Sequence, residues 1–300
     1  MDRLRALEIF IKVAETGGFA SAARALSTSP PSVTRVVSEL ERHLGTALFV
    51  RTTRSVGLTE AGVRFLNDAG RIISALKEAE DAAIGAHITP RGNLRITAPV
   101  LFGGMFITPL LGEFLQQNEH VTAEAVFLDR IVNMIDEGHD IAIRIGELAD
   151  SSLLAARVGT VRLMVFASPE YLAREGTPAH PDDLSKHNLI APIPPGSGQS
   201  WIFEKDGKPY RIEPTARLKI NTNDAIRDQV ARGWGISRLR SYQIAPLLAD
   251  GTLVPILEDF EPPPQPIHVI HQEGRLASAK VRSFIDFIVD RLRADPSINA

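Results

Sequence analysis

The chain of 300 residues contains no cysteine, which excludes disulfide bonds and thiol chemistry. No apolar run approaches the roughly 20 residues that cross a bilayer, so no membrane association is expected. The first ten residues, MDRLRALEIF, include acidic side chains and no small-residue cleavage site, so they are not interpreted as a signal peptide. These absences favour a cytoplasmic protein.

Common catalytic motifs are missing as well. The sequence has no GxxxxGK[ST], GxSxG, HExxH or CxxC pattern, and its eight histidines show no ligand-like spacing. Gly196-Ser197-Gly198 lies in a polar stretch and is interpreted as a flexible linker. We therefore expect no catalytic residue, no metal site and no cofactor.

The composition, 44% hydrophobic and 23% charged, is that of an ordinary globular protein, and the length predicts roughly two domains. Charge is distributed unevenly. The whole chain has a formal charge of −3, whereas residues 1–66 hold nine basic and six acidic side chains. The basic excess at the N-terminal end favours contact with a polyanion such as DNA.

The N-terminal segment predicts a helix-turn-helix. A first helix over 3–15 ends at Gly17-Gly18, and a second over 21–26 is capped by Ser21. Ser29 caps a third helix that starts with Pro30-Pro31 and ends at Gly45. Short hydroxyls and one Arg near its start suit phosphates and base edges. The candidate DNA contacts here are Ser21, Ser29, Ser32, Thr34, Arg35 and Ser38.

Residues 49–58 predict a two-stranded wing that carries Arg51 and Arg54 around Thr52-Thr53. These arginines are candidate contacts to phosphate or the minor groove. A pair of arginines on a solvated edge is the competing interpretation, and the preceding helix-turn-helix favours the DNA role.

A long helix is predicted from Thr59 to about Ala86. Its apolar residues follow a heptad-like spacing, which is typical of a helix that pairs with a second copy. The alternative is a helix that lies on the core of its own domain. The predicted dimer contacts are Phe65, Ala69, Ile72 and Leu76.

After residue 90 the pattern changes to alternating strands and helices, which predicts a mostly parallel sheet with covering helices. The expected first set is a strand over 94–97, a helix over 106–117, a strand over 121–127, a helix over 131–137 and a strand over 140–145. A second set begins at Arg162, with a hairpin turn at Asp206-Gly207.

Two such lobes form a cleft, and ligands of open α/β sheets bind at strand ends beside helix N-termini. Arg144 could balance the charge of an acidic ligand, and Trp201 and Phe203 could form an aromatic wall. The alternatives are core aromatics and a simple helix cap. The candidate effector contacts are Pro99, Val100, Leu101, Phe102, Arg144, Gly146, Trp201, Phe203, Asn221 and Asn223.

The sequence resembles the LysR-type transcriptional regulators over its whole length. The motifs that carry the resemblance are AARAL-S-x-S and SVTRVVSELERHLGTALFVRTTRSVGLTEAG in the first half. The second half is similar to the CrgA-like subgroup through RGNLRITAP, DIAIRIGEL, ASPEYLAREGTPAHPDDLSKHN and WIFEKDG. One departure is Pro30, since the family often has Gln directly after the capping Ser.

The resemblance implies an α/β fold class with an all-α winged helix-turn-helix, a long linker helix and a two-lobed effector domain like type 2 periplasmic-binding proteins. It implies a dimer or tetramer that binds a double-stranded DNA operator and is controlled by a small molecule. The helix N-termini and Arg144 at the predicted cleft favour an acidic or polar aromatic effector over a cation. The expected boundaries are 1–58, 59–89 and 90–300, with lobes over 90–161 plus 267–300 and 162–266. An enzyme or a solute-binding protein with an accessory DNA-binding domain is the alternative.

Overall fold

The structure, a computed structural model, describes residues 2–51, 56–83, 89–130, 132–134, 136–148, 154–193, 200–271 and 278–299. The chain divides into two compact units, Met1–Gly92 and Asn93–Ala300. No helix among the described residues is long and apolar enough to cross a membrane.

Unit 1 is helical with a small hairpin. In chain order its elements are α1 (Arg3–Thr16), α2 (Phe19–Ala25), α3 (Pro30–Leu44), β1 (Phe49–Arg51), β2 (Val56–Leu58) and α4 (Glu60–Ala83). Asp2 caps α1 by accepting from the amide of Arg5, and α1 ends at Gly17 in the left-handed region. Strands β1 and β2 pair antiparallel.

The core of unit 1 forms where the helices cross. Ala22 and Ala23 of α2 are buried and small, which allows α1 and α3 to approach α2 closely. The ring of Phe10 on α1 contacts Phe49 of β1 and Phe65 of α4, with centroids 5.2 and 5.3 Å apart. Unit 1 therefore includes the first turns of α4, which pack on its core.

Two predictions for unit 1 are wrong. Helix α2 begins at Phe19 with Gly18 as its N-cap, so Ser21 lies inside the helix, where its hydroxyl accepts from Arg24. Ala69 is 0% exposed in the core of its own unit and therefore cannot contact a second copy. Phe65 is half-buried on the same core, as the alternative interpretation of this helix required.

Unit 2 contains the remaining elements. In chain order they are β3 (Gly92–Ala98), α5 (Val100–Phe102), a π-helical turn (Gly103–Ile107), α6 (Thr108–Gln117), β4 (Val121–Phe127), β5 (Ile141–Ile145), β6 (Leu154–Val161), β7 (Leu163–Ala167), α7 (Pro169–Glu175), β8 (Ile190–Pro192), β9 (Trp201–Lys205), β10 (Lys208–Ile212), β11 (Leu218–Ile220), α8 (Asn223–Ala231), β12 (Ser237–Arg240), α9 (Ser241–Ala249), β13 (Val254–Ile256), β14 (Gln265–His271) and α10 (Ala279–Ala294). Short 3-10 helices lie at Pro181–Lys186, Glu258–Phe260 and Pro296–Ile298.

We call the part of unit 2 built on its five-stranded sheet the first lobe (93–161 and 265–299). The strand order is β4-β3-β5-β14-β6. Strands β3 and β5 are parallel, but β14 runs antiparallel to both β5 and β6. The sheet is therefore mixed, because the last strand returns to the first lobe from the opposite direction.

The second lobe (162–264) is built on the antiparallel sheet β12-β7-β13, with the parallel pair β8 and β11 and the hairpin β9–β10. Asp206 and Gly207 both have positive φ, at 51° and 73°, which suits the two-residue turn of this hairpin. The turn predicted at Asp206-Gly207 is confirmed.

The chain passes between the lobes twice, and an ion pair joins the two passages. Arg162, between β6 and β7, donates through Nε to Glu261 at 2.7 Å and through Nη2 to Glu258 at 3.1 Å. Glu261 lies just before β14. This contact joins the two segments that connect the lobes.

The helix predicted over 131–137 is wrong, because the described residues of that stretch form turns. The side-chain oxygen of Asn133 accepts from the amide of Asp136, and Arg130 forms a two-point ion pair with Glu137 at 2.6 and 2.8 Å. Side-chain to backbone bonds of this kind compete with helix formation.

Candidate DNA interface and effector cleft

The start of α3 is built from local capping signals. The hydroxyl of Ser29 accepts from the amide of Ser32 at 3.4 Å, and Pro30 and Pro31 occupy positions that need no N–H donor. Val33, Val37 and Leu40 are buried in the unit 1 core. Helical periodicity therefore directs Thr34, Arg35 and Ser38 away from that core.

Arg35 is the cation of this surface. Its side chain is 71% exposed, and Nη1 lies 3.5 Å from the carboxylate of Glu39 one turn further on. The hydroxyl of Thr34 donates to the carbonyl of Pro30 at 3.0 Å. An exposed guanidinium and nearby hydroxyls on one helix face can bind phosphates and base edges.

The predicted wing is present as the strands β1 and β2. Arg51 pairs through its backbone with Val56. The side chain of Arg51 and the whole of Arg54 lie outside the described residues, so their DNA contacts stay a prediction.

A cavity of about 470 Å³ lies between the two lobes of unit 2. The first lobe contributes its walls from the ends of β3, β4 and β5, and the second lobe from β8, β9, β12 and the start of α8. The described lining residues are Pro99, Leu128, Asp129, Arg130, Arg144, Ile145, Leu163, Pro192, Ile193, Trp201, Asn221, Asn223, Arg238, Leu239, Arg240, Gln243 and Gln265.

Five of the predicted contacts lie on this cavity: Pro99, Arg144, Trp201, Asn221 and Asn223. Arg144 and Trp201 lie in strands, Pro99 and Asn221 directly follow strands, and Asn223 begins a helix. The expectation that turns from both lobes converge on one cleft therefore agrees with their placement.

The other predicted contacts lie elsewhere. Phe102 is fully buried in the first-lobe core against Phe106 and Tyr242, and Phe203 is 1% exposed in a second-lobe core, so both are wrong as ligand contacts. Three further predicted contacts, Val100, Leu101 and Gly146, do not line the cavity.

The N-terminus of α5 is already occupied by a carboxylate of this chain. Asp129, two residues after β4, accepts from the amide of Val100 at 3.0 Å. An anion from outside would meet the charge of Asp129 there, although helix N-termini generally favour anions. At this end of the cleft, positive potential therefore has to come from side chains.

Three cleft arginines were not predicted: Arg130, Arg238 and Arg240. Arg130 lies three residues after β4, beyond a strand end for which no ligand contact was predicted. Arg238 and Arg240 are two apart in the strand Ser-Arg-Leu-Arg, so they share one face of β12. That alternation was the available signal, but the sequence did not tell which face of β12 borders the cleft.

Burial affects the charge of two cleft arginines. Desolvation lowers the pKa of Arg238 to about 10, and its guanidinium lies 5.0 Å from the ring centroid of Trp201. Desolvation is also the main cause that lowers the pKa of Arg144, whose Nη2 donates to the carbonyl of Val132 at 3.2 Å. At neutral pH both side chains remain charged.

The middle of α4 offers a candidate contact surface. Ile72 is 48% exposed, and Leu76 is half-buried. Leu66, Ala69 and Ile73 face the unit 1 core instead. Of the four predicted dimer contacts, the half-buried Phe65 together with Ile72 and Leu76 therefore stay predictions.

Comparison with known proteins agrees with both parts of the chain. Residues 4–63 match the family described as "Bacterial regulatory helix-turn-helix protein, lysR family", and residues 87–293 match "LysR substrate binding domain". The chain is 33% identical over 288 residues to the HTH-type transcriptional regulator CrgA of Neisseria meningitidis, covering 95% of this chain and 96% of the relative.

Two further similarities extend over nearly the full length. An HTH-type transcriptional regulator of Xanthomonas campestris is 37% identical over 292 residues, covering 96% of this chain and 85% of the relative. The solved structure of CrgA, a LysR-type regulator from Neisseria meningitidis, aligns with a TM-score of 0.61 at 32% identity, over 96% of this chain and 98% of that one. This chain therefore belongs to the LysR family of DNA-binding transcriptional regulators with an effector-binding domain.

Proposed function

We propose that this LysR regulator binds a double-stranded operator as a homo-oligomer and alters its DNA affinity when a small molecule occupies the inter-lobe cleft. The outward face of α3 carries the proposal. Its Thr34, Arg35 and Ser38 point away from a core that Val33 and Val37 complete. Reading base edges from such a helix is the established use of a helix-turn-helix.

Different contacts have different roles in this proposal. Arg35 and Thr34 read base edges, whereas Ser29, Ser32 and the wing residues Arg51 and Arg54 position the protein on phosphate. Phosphate contacts fix register and contribute salt dependence, but they carry little sequence information. Pro30 cannot supply the base contact that an amide side chain would make at that position.

In this proposal, the chain consists of a DNA-binding domain over 1–58, a linking helix over 59–89 and an effector domain over 90–300. The proposed protein acts in the cytoplasm, where its operator is, and it catalyses no reaction. The regulators named above support this assignment because they are called transcriptional regulators rather than enzymes.

The test starts from an operator selected from a random duplex pool by the unmodified chain. Arg35→Ala should weaken binding to that operator by about 1–3 kcal/mol while changing binding to a scrambled duplex little. Arg42→Ala is the matched control, because Arg42 is exposed on the same helix two turns further on. An unchanged ratio of operator to scrambled affinity in Arg35→Ala would refute the base-reading role.

A further inference from the structure

The inter-lobe cleft contains an excess of positive charge. Its described lining residues include four arginines and a single acid, Asp129, whose Oδ1 accepts from the amide of Val100. Arg130 is neutralised by its two-point ion pair with Glu137. The other three arginines, Arg144, Arg238 and Arg240, form no ion pair within the described residues.

Arg238 is one of the cleft arginines that the second lobe contributes. Its guanidinium lies over the rings of Trp201 and Phe203, 5.0 and 5.4 Å from their centroids, and Nη1 donates to the carbonyl of Ile202 at 2.8 Å. A guanidinium has five N–H donors. These contacts therefore orient the guanidinium of Arg238, but no carboxylate among the described residues neutralises its charge.

Arg144 is the corresponding group of the first lobe. Its two terminal nitrogens donate to the carbonyls of Ile143 and Val132, both at 3.2 Å. Carbonyl oxygens orient the guanidinium but do not balance it, and the nearby charge of Glu137 is already paired with Arg130. A half-buried cation that lacks a counter-ion is costly, and a ligand that supplies one recovers that cost on binding.

Apolar side chains form about half of the cavity wall. Leu128 and Ile145 come from the first lobe, and Leu163 and Leu239 come from the second. A cavity of about 470 Å³ lined in this way fits a hydrocarbon skeleton with a few polar ends.

We infer that the effector is a small organic dianion with two separate acidic groups on an apolar skeleton, one bound by Arg144 of the first lobe and the other by Arg238 of the second. This inference rests on the proposed function, because it names the ligand class of the same cleft. Two unpaired cations from opposite lobes repel when the lobes approach. A ligand with two acids neutralises both, whereas a monoanion leaves one of them unpaired.

The test uses the full chain and a series of α,ω-dicarboxylates from succinate to suberate, together with phthalate. Each is compared with its monomethyl ester and its diamide at equal ionic strength and pH 7.5, by calorimetric titration and thermal shift. Inorganic phosphate tests a dianion that has only one acidic group. We expect at least one dicarboxylate to bind tenfold or more tightly than its monoester, and we expect the diamides and phosphate not to bind.

Variants assign this preference to the two arginines. Arg144→Gln and Arg238→Gln should each reduce the ratio of dicarboxylate to monoester affinity to near one. Arg291→Gln should leave the ratio unchanged, because Arg291 is outside the cleft and pairs with Glu113. The ratio is measured within each variant, so a general loss of stability does not imitate the effect. Arg238→Lys, which keeps the charge, should retain part of the preference.

Three results would overturn the inference: a dicarboxylate preference that survives both glutamine variants, equal binding of diacid and monoester, or no binding by the whole series. The proposed function has a separate readout. If operator affinity responds to a neutral or cationic molecule that binds the cleft, the dianion inference fails and the proposed function stands. If the chain shows no sequence-specific DNA binding, the proposed function fails whatever the cleft binds.

Discussion

Gly62 marks a point where backbone segments of unit 1 meet too closely for a side chain. Its amide donates to the hydroxyl of Thr59 at 2.9 Å, which caps the start of α4. A Cβ at this position would overlap the carbonyl oxygen of Leu48, whose backbone enters β1. The absent side chain therefore allows the wing and α4 to pack together.

Gly62→Ala should destabilise unit 1 by about 1–3 kcal/mol, because the added carbon forces a backbone shift. Gly70→Ala is the matched control on the same helix. It has open space around it and should stabilise by roughly 0.4–1 kcal/mol. Urea unfolding followed by far-UV circular dichroism measures both. Both tryptophans lie in unit 2, so the fluorescence transition should not move. Equal stabilities of the two variants would contradict the close approach.

His139 is a buried titratable group of the first lobe. It is 4% exposed, and its Nδ1 has no hydrogen-bond partner among the described residues. Burial, followed by the nearby charge of Arg95, lowers the pKa of His139. Glu137 and Glu124 oppose this shift, and Arg144 adds to it.

This lowered pKa predicts the direction of a pH effect. The unfolded chain takes up a proton at His139 near pH 6.5, whereas the folded chain resists protonation to lower pH. The contribution of neutral His139 to the free energy of unfolding is therefore fully present above about pH 6.5. It is lost as the pH falls from there toward the pKa of His139 in the folded chain. His139→Gln should flatten the decline of Tm between pH 7.5 and 5.5, followed by tryptophan fluorescence. His120→Gln, at an exposed turn of the same lobe, should retain it. A decline of equal slope in His139→Gln would exclude this histidine as the cause.

At the level of elements, helix α3 was predicted well because residues next to each of its ends determine where it begins and ends. Ser29 caps it, two prolines begin it and Gly45 ends it at φ 69°, and each of these signals is visible in the sequence. The stretch 131–137 is also followed by a glycine in the left-handed region, Gly138, but it is only seven residues long. Its apolar spacing resembled a helix, but side-chain contacts such as the Arg130–Glu137 pair form turns there instead. A short apolar pattern is therefore weak evidence for a helix, even when a glycine follows it.

The full set of cleft residues could not be predicted, because it depends on contacts between residues far apart in the sequence. The turns at Pro99 and Asn221 were predictable because they follow strands and precede helices. Arg238 and Arg240 face the cleft because β12 pairs antiparallel with β7, and that pairing joins residues about seventy positions apart. Similarly, α4 carries one apolar pattern that serves both its own core and an outward surface. Spacing alone could not separate Ala69 from Ile72.

The outward surface of α4 predicts a second contact of the chain with itself. Ile72→Asp would place an unpaired charge in a dimer interface, at a cost of several kcal/mol, and should give monomers in sedimentation at low micromolar concentration. Val63→Asp is the matched control, since Val63 is equally exposed on α4 but lies on about the opposite face of the helix. Dimers that persist in Ile72→Asp would place the interface elsewhere.

At the level of the whole molecule, DNA and effector are assigned to different units of the chain. A ligand changes the DNA affinity only if its affinities for the DNA-competent state and for other states of the molecule differ. Coupling of this kind is typically about 1–3 kcal/mol, or roughly 5–150-fold in affinity. The thermodynamic linkage is reciprocal, so the operator must change the ligand affinity by the same factor.

This reciprocity makes the proposed regulation measurable without knowing whether the protein activates or represses. A cleft ligand should change operator affinity roughly 5-fold or more, and saturating operator should change ligand affinity by an equal factor in the same sense. Fluorescence anisotropy of labelled operator gives the first factor, and calorimetric titration of the ligand gives the second. In Ile72→Asp the factor should fall toward one if a dimer transmits the coupling, because a monomer can no longer adjust the spacing of two half-sites. Ligand binding in the cleft with no effect on operator affinity in the unmodified chain would show that the two units act independently, and the proposed regulation would then be wrong.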